Sequence, residues 1–148
     1  MSINLVGPGD GEELELGPSR IRILEDGSHT GHRLGMAVMT LAPGFAGPPQ
    51  HLHRKHEETF FVTSGTMQFI SGTDQFTVGA GSLVTVPIGT PHTFGNLDPD
   101  EPATLLFTTT PDLYINYFRD LVAIGTGDVT PDKILEVMEK YATEPFQP

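Results

Sequence analysis

The 148-residue chain has no cysteine and no tryptophan. The absence of cysteine excludes disulfides, thiolate metal ligands and a thiol nucleophile. Packing and hydrogen bonds must hold the fold, and any metal must be held by nitrogen and oxygen. Basic residues are scarce, with 8 Lys and Arg against 19 Asp and Glu, for a formal charge of −11. Such a surface repels phosphate backbones and anionic membranes, so neither nucleic acid nor membrane is an expected partner. No apolar run approaches the ~20 residues needed to span a bilayer. Met1-Ser2-Ile3-Asn4-Leu5 lacks the basic stretch and apolar core of a signal peptide, and a cytoplasmic location is the expectation that follows.

What the chain does have is turn residues. Its 17 glycines and 13 prolines are dispersed between short apolar runs. That pattern fits an all-β sandwich or barrel built as one domain. Residues 1–19, rich in Gly, Glu and Pro, read as an N-terminal arm. Residues 20–109 read as the barrel, with strands at Arg20–Leu24, Leu34–Leu41, Glu58–Ser64, Thr66–Ser71, Gln75–Val78, Ser82–Val86, His92–Asn96 and Ala103–Thr109. Pro87-Ile88-Gly89-Thr90-Pro91 cannot continue a ladder and forms a shaped turn.

Residues 110–148 change period and form a helical extension. Thr110-Pro111-Asp112 and Thr130-Pro131-Asp132 each place a capping hydroxyl, a first-turn proline and an acid in helix-start order. Leu113, Tyr117, Phe118, Leu121 and Val122 follow the first at helical spacing. Ile134, Val137, Met138 and Tyr141 follow the second on one face. Two short C-terminal helices packed against the barrel are expected.

The chemistry-bearing residues are histidines. His51 and His53 alternate, so on a strand both project to one face while Leu52 points away. Glu58 opens the next strand on the face of Phe60 and Val62, and His92 shares a face with Phe94 and Asn96. Three imidazoles and one carboxylate suit a divalent transition metal if they converge. His56 falls in the polar turn Arg54–Glu57 and is expected to face solvent. His29 and His32 lie in a Gly/Ser/Thr loop and read as surface residues.

The spacing of these residues resembles the cupin superfamily. His51-x-His53-x4-Glu58-x6-Gly65 matches its first motif, and Gly81-x5-Pro87-x-Gly89-x2-His92-x3-Asn96 its second. One position departs: the family glycine six residues before the first histidine is Phe45 here, with Gly44 beside it. The departure falls on the approach loop rather than on the ligands. The resemblance implies an antiparallel jelly-roll (RmlC-like) barrel. It makes His51, His53, Glu58 and His92 the ligands of one divalent metal ion per subunit, with Fe, Mn, Ni, Co, Cu and Zn all compatible. Family spacing between the second histidine and the glutamate varies by one, so Glu57 competes with Glu58. The distance to Gly65 favours Glu58.

Within the superfamily, the strand Glu58–Gly65 and the tail Tyr117-Phe118-Arg119 are similar to single-domain cupins like quercetin 2,3-dioxygenase. That implies a metal-dependent dioxygenase acting on an aromatic or enolisable small molecule, with Glu58 as both ligand and proton acceptor. Phe60, Met67, Phe69, Phe94 and Phe107 are the expected substrate-lining residues, and Asn96 is expected to hydrogen-bond near His92 or to shape a turn. The alternatives are a non-oxygenase metal enzyme (isomerase, decarboxylase or hydrolytic) and a small-molecule-binding protein without turnover. A homodimer is also expected, since many cupins are dimers.

Overall fold

A computed structural model describes residues 2–125 and 130–148. The chain forms an antiparallel jelly roll followed by two helices. Its larger sheet has six strands in the order β1-β2-β3-β10-β5-β8. These strands are β1 (Glu12–Leu16), β2 (Ser19–Asp26), β3 (Gly35–Leu41), β5 (Glu57–Ser64), β8 (Leu83–Val86) and β10 (Ala103–Thr110). Facing it are a three-stranded sheet of β7 (Asp74–Gly79), β6 (Thr66–Ser71) and β9 (Thr93–Gly95), and a two-stranded ladder of β4 (His51–His53) with β11 (Thr143–Pro145). A bridge between His51 and His92 joins the ladder to the chain entering β9.

Strand periodicity sets the core. In β3 every second residue is buried, and in β10 Ala103, Leu105, Phe107 and Thr109 all turn inward. Phe107 sits opposite Ala37 on one side and Phe60 on the other. Phe60, Phe69, Met39, Met67 and Leu105 complete a close-packed centre. Truncating Phe60 there would cost about 3–5 kcal/mol in transfer and cavity terms. Gly65 turns β5 into β6 at φ 76°, and a Cβ there would lie 2.5 Å from the Pro102 carbonyl oxygen. The motif glycine is therefore a backbone approach that no side chain can share.

Three elements differ from the sequence reading. The arm over residues 1–19 contains β1, whose Leu14 and Leu16 pack against the core and whose strand pairs along β2. Alternating glutamates had masked a half-buried edge strand. The first helix start is also displaced. Thr110 ends β10, and Thr109 donates its hydroxyl to the Pro111 carbonyl. A single 3-10 turn, Asp112–Tyr114, precedes α1 (Ile115–Ile124), with no side-chain cap. Finally, β11 follows α2 (Pro131–Lys140) where only the end of a helix was expected. The second helix start is as read: the Thr130 hydroxyl accepts from the Lys133 N–H with Pro131 in the first turn.

The helices differ in burial. α1 buries Ile115, Tyr117 and Phe118 and lies across β1, β2 and β3. Arg119 fastens it there, bonding Glu12 of β1 and Asp26 of β2 at 2.9 Å each. α2 buries no residue fully, and its Val137 and Met138 are half-buried against the core. Among the described residues no helix is long and apolar enough to cross a membrane.

Candidate metal centre

β4, β5 and the turn before β9 bring His51, His53, Glu58 and His92 together, each at most 5% exposed. His51 and His92 face each other across a reciprocal backbone pair, with N–H to oxygen distances of 3.0 and 2.9 Å. The three imidazole centroids are 4.6–5.2 Å apart, and one ring nitrogen of each lies within 4.8 Å of the others. Glu58 completes the cluster, with Oε2 3.0 Å from His92 Nε2 and Oε1 3.1 Å from His53 Nε2. Glu57 points outward and accepts from the Thr110 hydroxyl. The strand's two-residue period thus selects Glu58 over Glu57.

The outward nitrogens of the three rings are all committed. His51 Nδ1 donates to the Pro49 carbonyl at 2.9 Å and His92 Nδ1 to the Thr90 carbonyl at 3.1 Å. His53 Nδ1 donates at 2.8 Å to the Thr143 hydroxyl, whose own proton goes to the Tyr141 carbonyl. A carbonyl only accepts, so each Nδ1 must carry the proton. Each neutral ring then turns an Nε2 lone pair inward, the tautomer a metal requires.

One of those inward nitrogens has no partner. His53 Nε2 is buried and makes no hydrogen bond, although Glu58 Oε1 is close, because the angle is wrong. His92 Nε2 and Glu58 Oε2 lie 3.0 Å apart, close enough to share a cation. Burial, reinforced by neighbouring His92, lowers the His51 pKa to about 4, and burial likewise lowers His53. Imidazolium is therefore disfavoured at His51 and His53. Burial alone would raise the Glu58 pKa, and only positive charge shared with His53, His56 and His92 holds it well below the usual carboxylate range. Glu58 lies about 3 Å from the inward nitrogens of His53 and His92, and one nitrogen of each of the three rings lies within 4.8 Å of the others. The residues fit a divalent metal ion held by His51, His53, His92 and Glu58.

His56 corrects the sequence reading. It is fully buried, not solvent-facing, and its Nε2 lies 3.4 Å from Glu58 Oε1. Its ring packs 4.2 Å from His53 and 5.0 Å from Tyr114. Position i−2 from Glu58 on the same strand face was the signal that could have found it. Thr143 and Tyr114 were also missed. They come from the C-terminal extension, and no local pattern links them to the site. Burial, Tyr117 and the Glu58 charge raise the Tyr114 pKa well above 10, so its phenol stays neutral.

A cavity of about 600 Å³ opens beside Glu58 and His51. Of the expected substrate-lining residues, Phe94 and Phe107 line it. Phe60, Met67 and Phe69 lie in the packed core behind it. Asn96 does not approach the histidines. Its amide donates to the Leu41, Ala42 and Glu101 carbonyls, and its Oδ1 accepts from the Asp98 N–H. It clamps the loop after β9, the turn role among its two readings. Phe45, which replaces the family glycine, bridges to Asn96 and borders the cavity. His29 and His32 are exposed, each beside a carboxylate.

Residues 37–109 match the family model for the Cupin domain. An acireductone dioxygenase from Gluconacetobacter diazotrophicus is 37% identical over 79 residues, which are 50% of this chain and 44% of that protein. The match thus spans less than half of that relative's length. Among solved structures, KdgF from Halomonas sp. superposes with a TM-score of 0.63 at 18% identity, covering 74% of this chain and 94% of that one. An RmlC-like cupin from Shewanella frigidimarina gives 0.61 at 21% identity, covering 74% and 92%. With both motifs at one buried centre, this chain belongs to the cupin superfamily.

Proposed function

We propose that the protein is a metal-dependent dioxygenase acting on an enolisable or aromatic small molecule. One observation carries the reading: three buried histidines, each held by an outward hydrogen bond at Nδ1, gather with one buried carboxylate beside an apolar cavity, and His53 Nε2 has no hydrogen-bond partner there. The resemblance to an acireductone dioxygenase over half the chain supports oxygen chemistry.

A divalent ion held by His51, His53, Glu58 and His92 would supply Lewis acidity toward a substrate oxygen. The chain's own groups do the rest. Glu58 is ionised, and its Oε1 or Oε2 accepts the hydroxyl or α-carbon proton of the substrate. The resulting enolate carbon adds dioxygen. Cleavage of the adjacent carbon–carbon bond leaves both oxygen atoms in the products. His56 keeps Glu58 aligned, the neutral Tyr114 phenol borders the cavity, and the apolar wall excludes water. The homodimer belongs to the same proposal, and a monomeric mass by light scattering would remove it.

Oxygen uptake tests the reading. Protein stripped by chelator is inactive toward a panel of flavonols and diketones, and one equivalent of Fe(II), Mn(II), Co(II) or Ni(II) restores uptake. Equal product formation without oxygen would replace the dioxygenase with an isomerase or decarboxylase.

A further inference from the structure

The cavity carries more information than the metal ligands do. Its sheet-side wall follows the strand order. Starting at Glu58 on β5, the wall continues through Phe107 of β10, Met39 of β3, Ile21 of β2 and Leu16 of β1. Four strand steps at ~4.8 Å make it roughly 19 Å long. The opposite wall is helical: Phe118 and Leu121 from α1, Ile134 and Met138 from α2. The cavity is therefore a slot between the sheet and the C-terminal helices, with the metal ligands at one end.

Away from the histidine end, two of its polar side chains are already hydrogen-bonded within the protein. The Ser19 hydroxyl accepts from the Ala42 N–H. Both ends of the Gln50 amide are bound to Gly72. No lysine or arginine lines the slot among the described residues. Arg119, the basic residue of α1, faces Glu12 and Asp26 instead. A charged tail would lose its hydration there and gain no counter-ion.

We infer that the slot binds an elongated, uncharged substrate with one oxygen-rich chelating end at the metal ligands and an apolar body between the sheet and α2. This rests on the proposed metal site for the head and on the slot alone for the body. It makes α2, half-buried and without a fully buried residue, the specificity wall. Substrates such as sugar phosphates, charged at the far end, are rejected.

Alkyl hydroxamates are suitable probes, being neutral chelators whose tail can be lengthened one methylene at a time. Acetohydroxamate to decanohydroxamate are titrated calorimetrically into Co(II)-loaded and metal-free protein. Affinity is expected to rise about fourfold per methylene, about 200-fold over four, in both forms. The loaded form is expected to be the tighter at every length. A flat series overturns the slot, whatever the metal does. A steep series with equal affinities for loaded and metal-free protein overturns the metal reading and leaves the slot standing.

Octanohydroxamate is expected to exceed its ω-carboxylate analogue by at least about 30-fold. Equal affinity for the two would overturn the charge argument. Met138→Lys, at a half-buried helix position, should narrow that preference at least tenfold. An unaltered preference would remove α2 from the wall.

Discussion

Histidines meet carboxylates in two regions of this chain. Around Glu58, four imidazoles and one carboxylate are buried. In the loop after β2, His29 lies 3.1 Å from Glu25 and His32 2.8 Å from Asp112, with both histidines open to solvent. Glu25, Asp26 and His29 even have the close spacing of a metal triad. The residue types are the same, but the electrostatics are opposed. Inside, burial lowers the His51 and His53 pKa values and leaves lone pairs for a metal. Outside, the hydrogen bond and charge of Asp112 raise that of His32 and hold it toward imidazolium. A proton suffices for His32 beside Asp112, whereas burial keeps His51 and His53 neutral and favours a different cation.

The sharpest way to break this contrast is to remove one carboxylate from each region. Glu58→Ala should weaken metal binding by more than ~100-fold, beyond the usual effect of losing a group that only supports a ligand. Glu25→Ala and Glu57→Ala should leave it unchanged. Equilibrium dialysis with metal analysis reads all three. Wild-type affinity in Glu58→Ala would place the ion elsewhere.

His56 tests whether the inner cluster extends past its ligands. It touches Glu58 through Nε2 and has no partner at Nδ1. His56→Phe keeps the ring volume and deletes the contact, so Glu58 loses its alignment. Metal affinity should fall between ~10-fold and ~100-fold. His56→Gln retains a donor and should recover most of the loss. Equal affinity in the two variants would reduce His56 to packing.

How far the sequence reveals these two regions depends on the range of the interactions. The strands and the four ligands are legible because strand period and motif spacing are local. The fixed Gly65, Pro87 and Gly89 reflect backbone turns that few other residues can make. Thr143 is not legible, because it reaches His53 across 90 residues. His56 was misread for a different reason: a polar run, Arg54-Lys55-His56-Glu57, outweighed its face relation to Glu58. Asp112 looked like a helix-start acid and instead meets His32 through a contact spanning 80 residues. β1 hid behind its glutamates because an edge strand needs only one apolar face.

The two regions should also answer acid with opposite signs. The His51 pKa falls from 6.5 unfolded to about 4 folded. Between those values the unfolded chain binds a proton that the native one does not. Stability is therefore complete above pH 6.5 and declines as pH falls toward 4, by up to about 3 kcal/mol from this residue. Urea midpoints of metal-free protein from pH 7.5 to 4 measure it. His51→Asn should flatten the decline, and a slope identical to wild type would assign the acid sensitivity elsewhere.

The smallest effect belongs to His32, and its sign is reversed. A raised folded pKa means that the native state holds the proton more tightly than the unfolded chain. Its stabilisation is thus present in full below pH 6.5 and disappears as pH climbs through the raised value. Asn is the suitable replacement, because position 32 sits at φ 61° and asparagine tolerates the left-handed region. His32→Asn should lower the urea midpoint slightly at pH 6 and leave it unchanged at pH 9. The ring is exposed, so the pH 6 difference should shrink in 1 M salt, where screening acts over ~3 Å. Metal content should not change under any of these conditions. A salt-resistant difference persisting at pH 9 would mean that the His32 contact with Asp112 acts through packing rather than charge, and the contrast with the buried cluster would then be one of position alone.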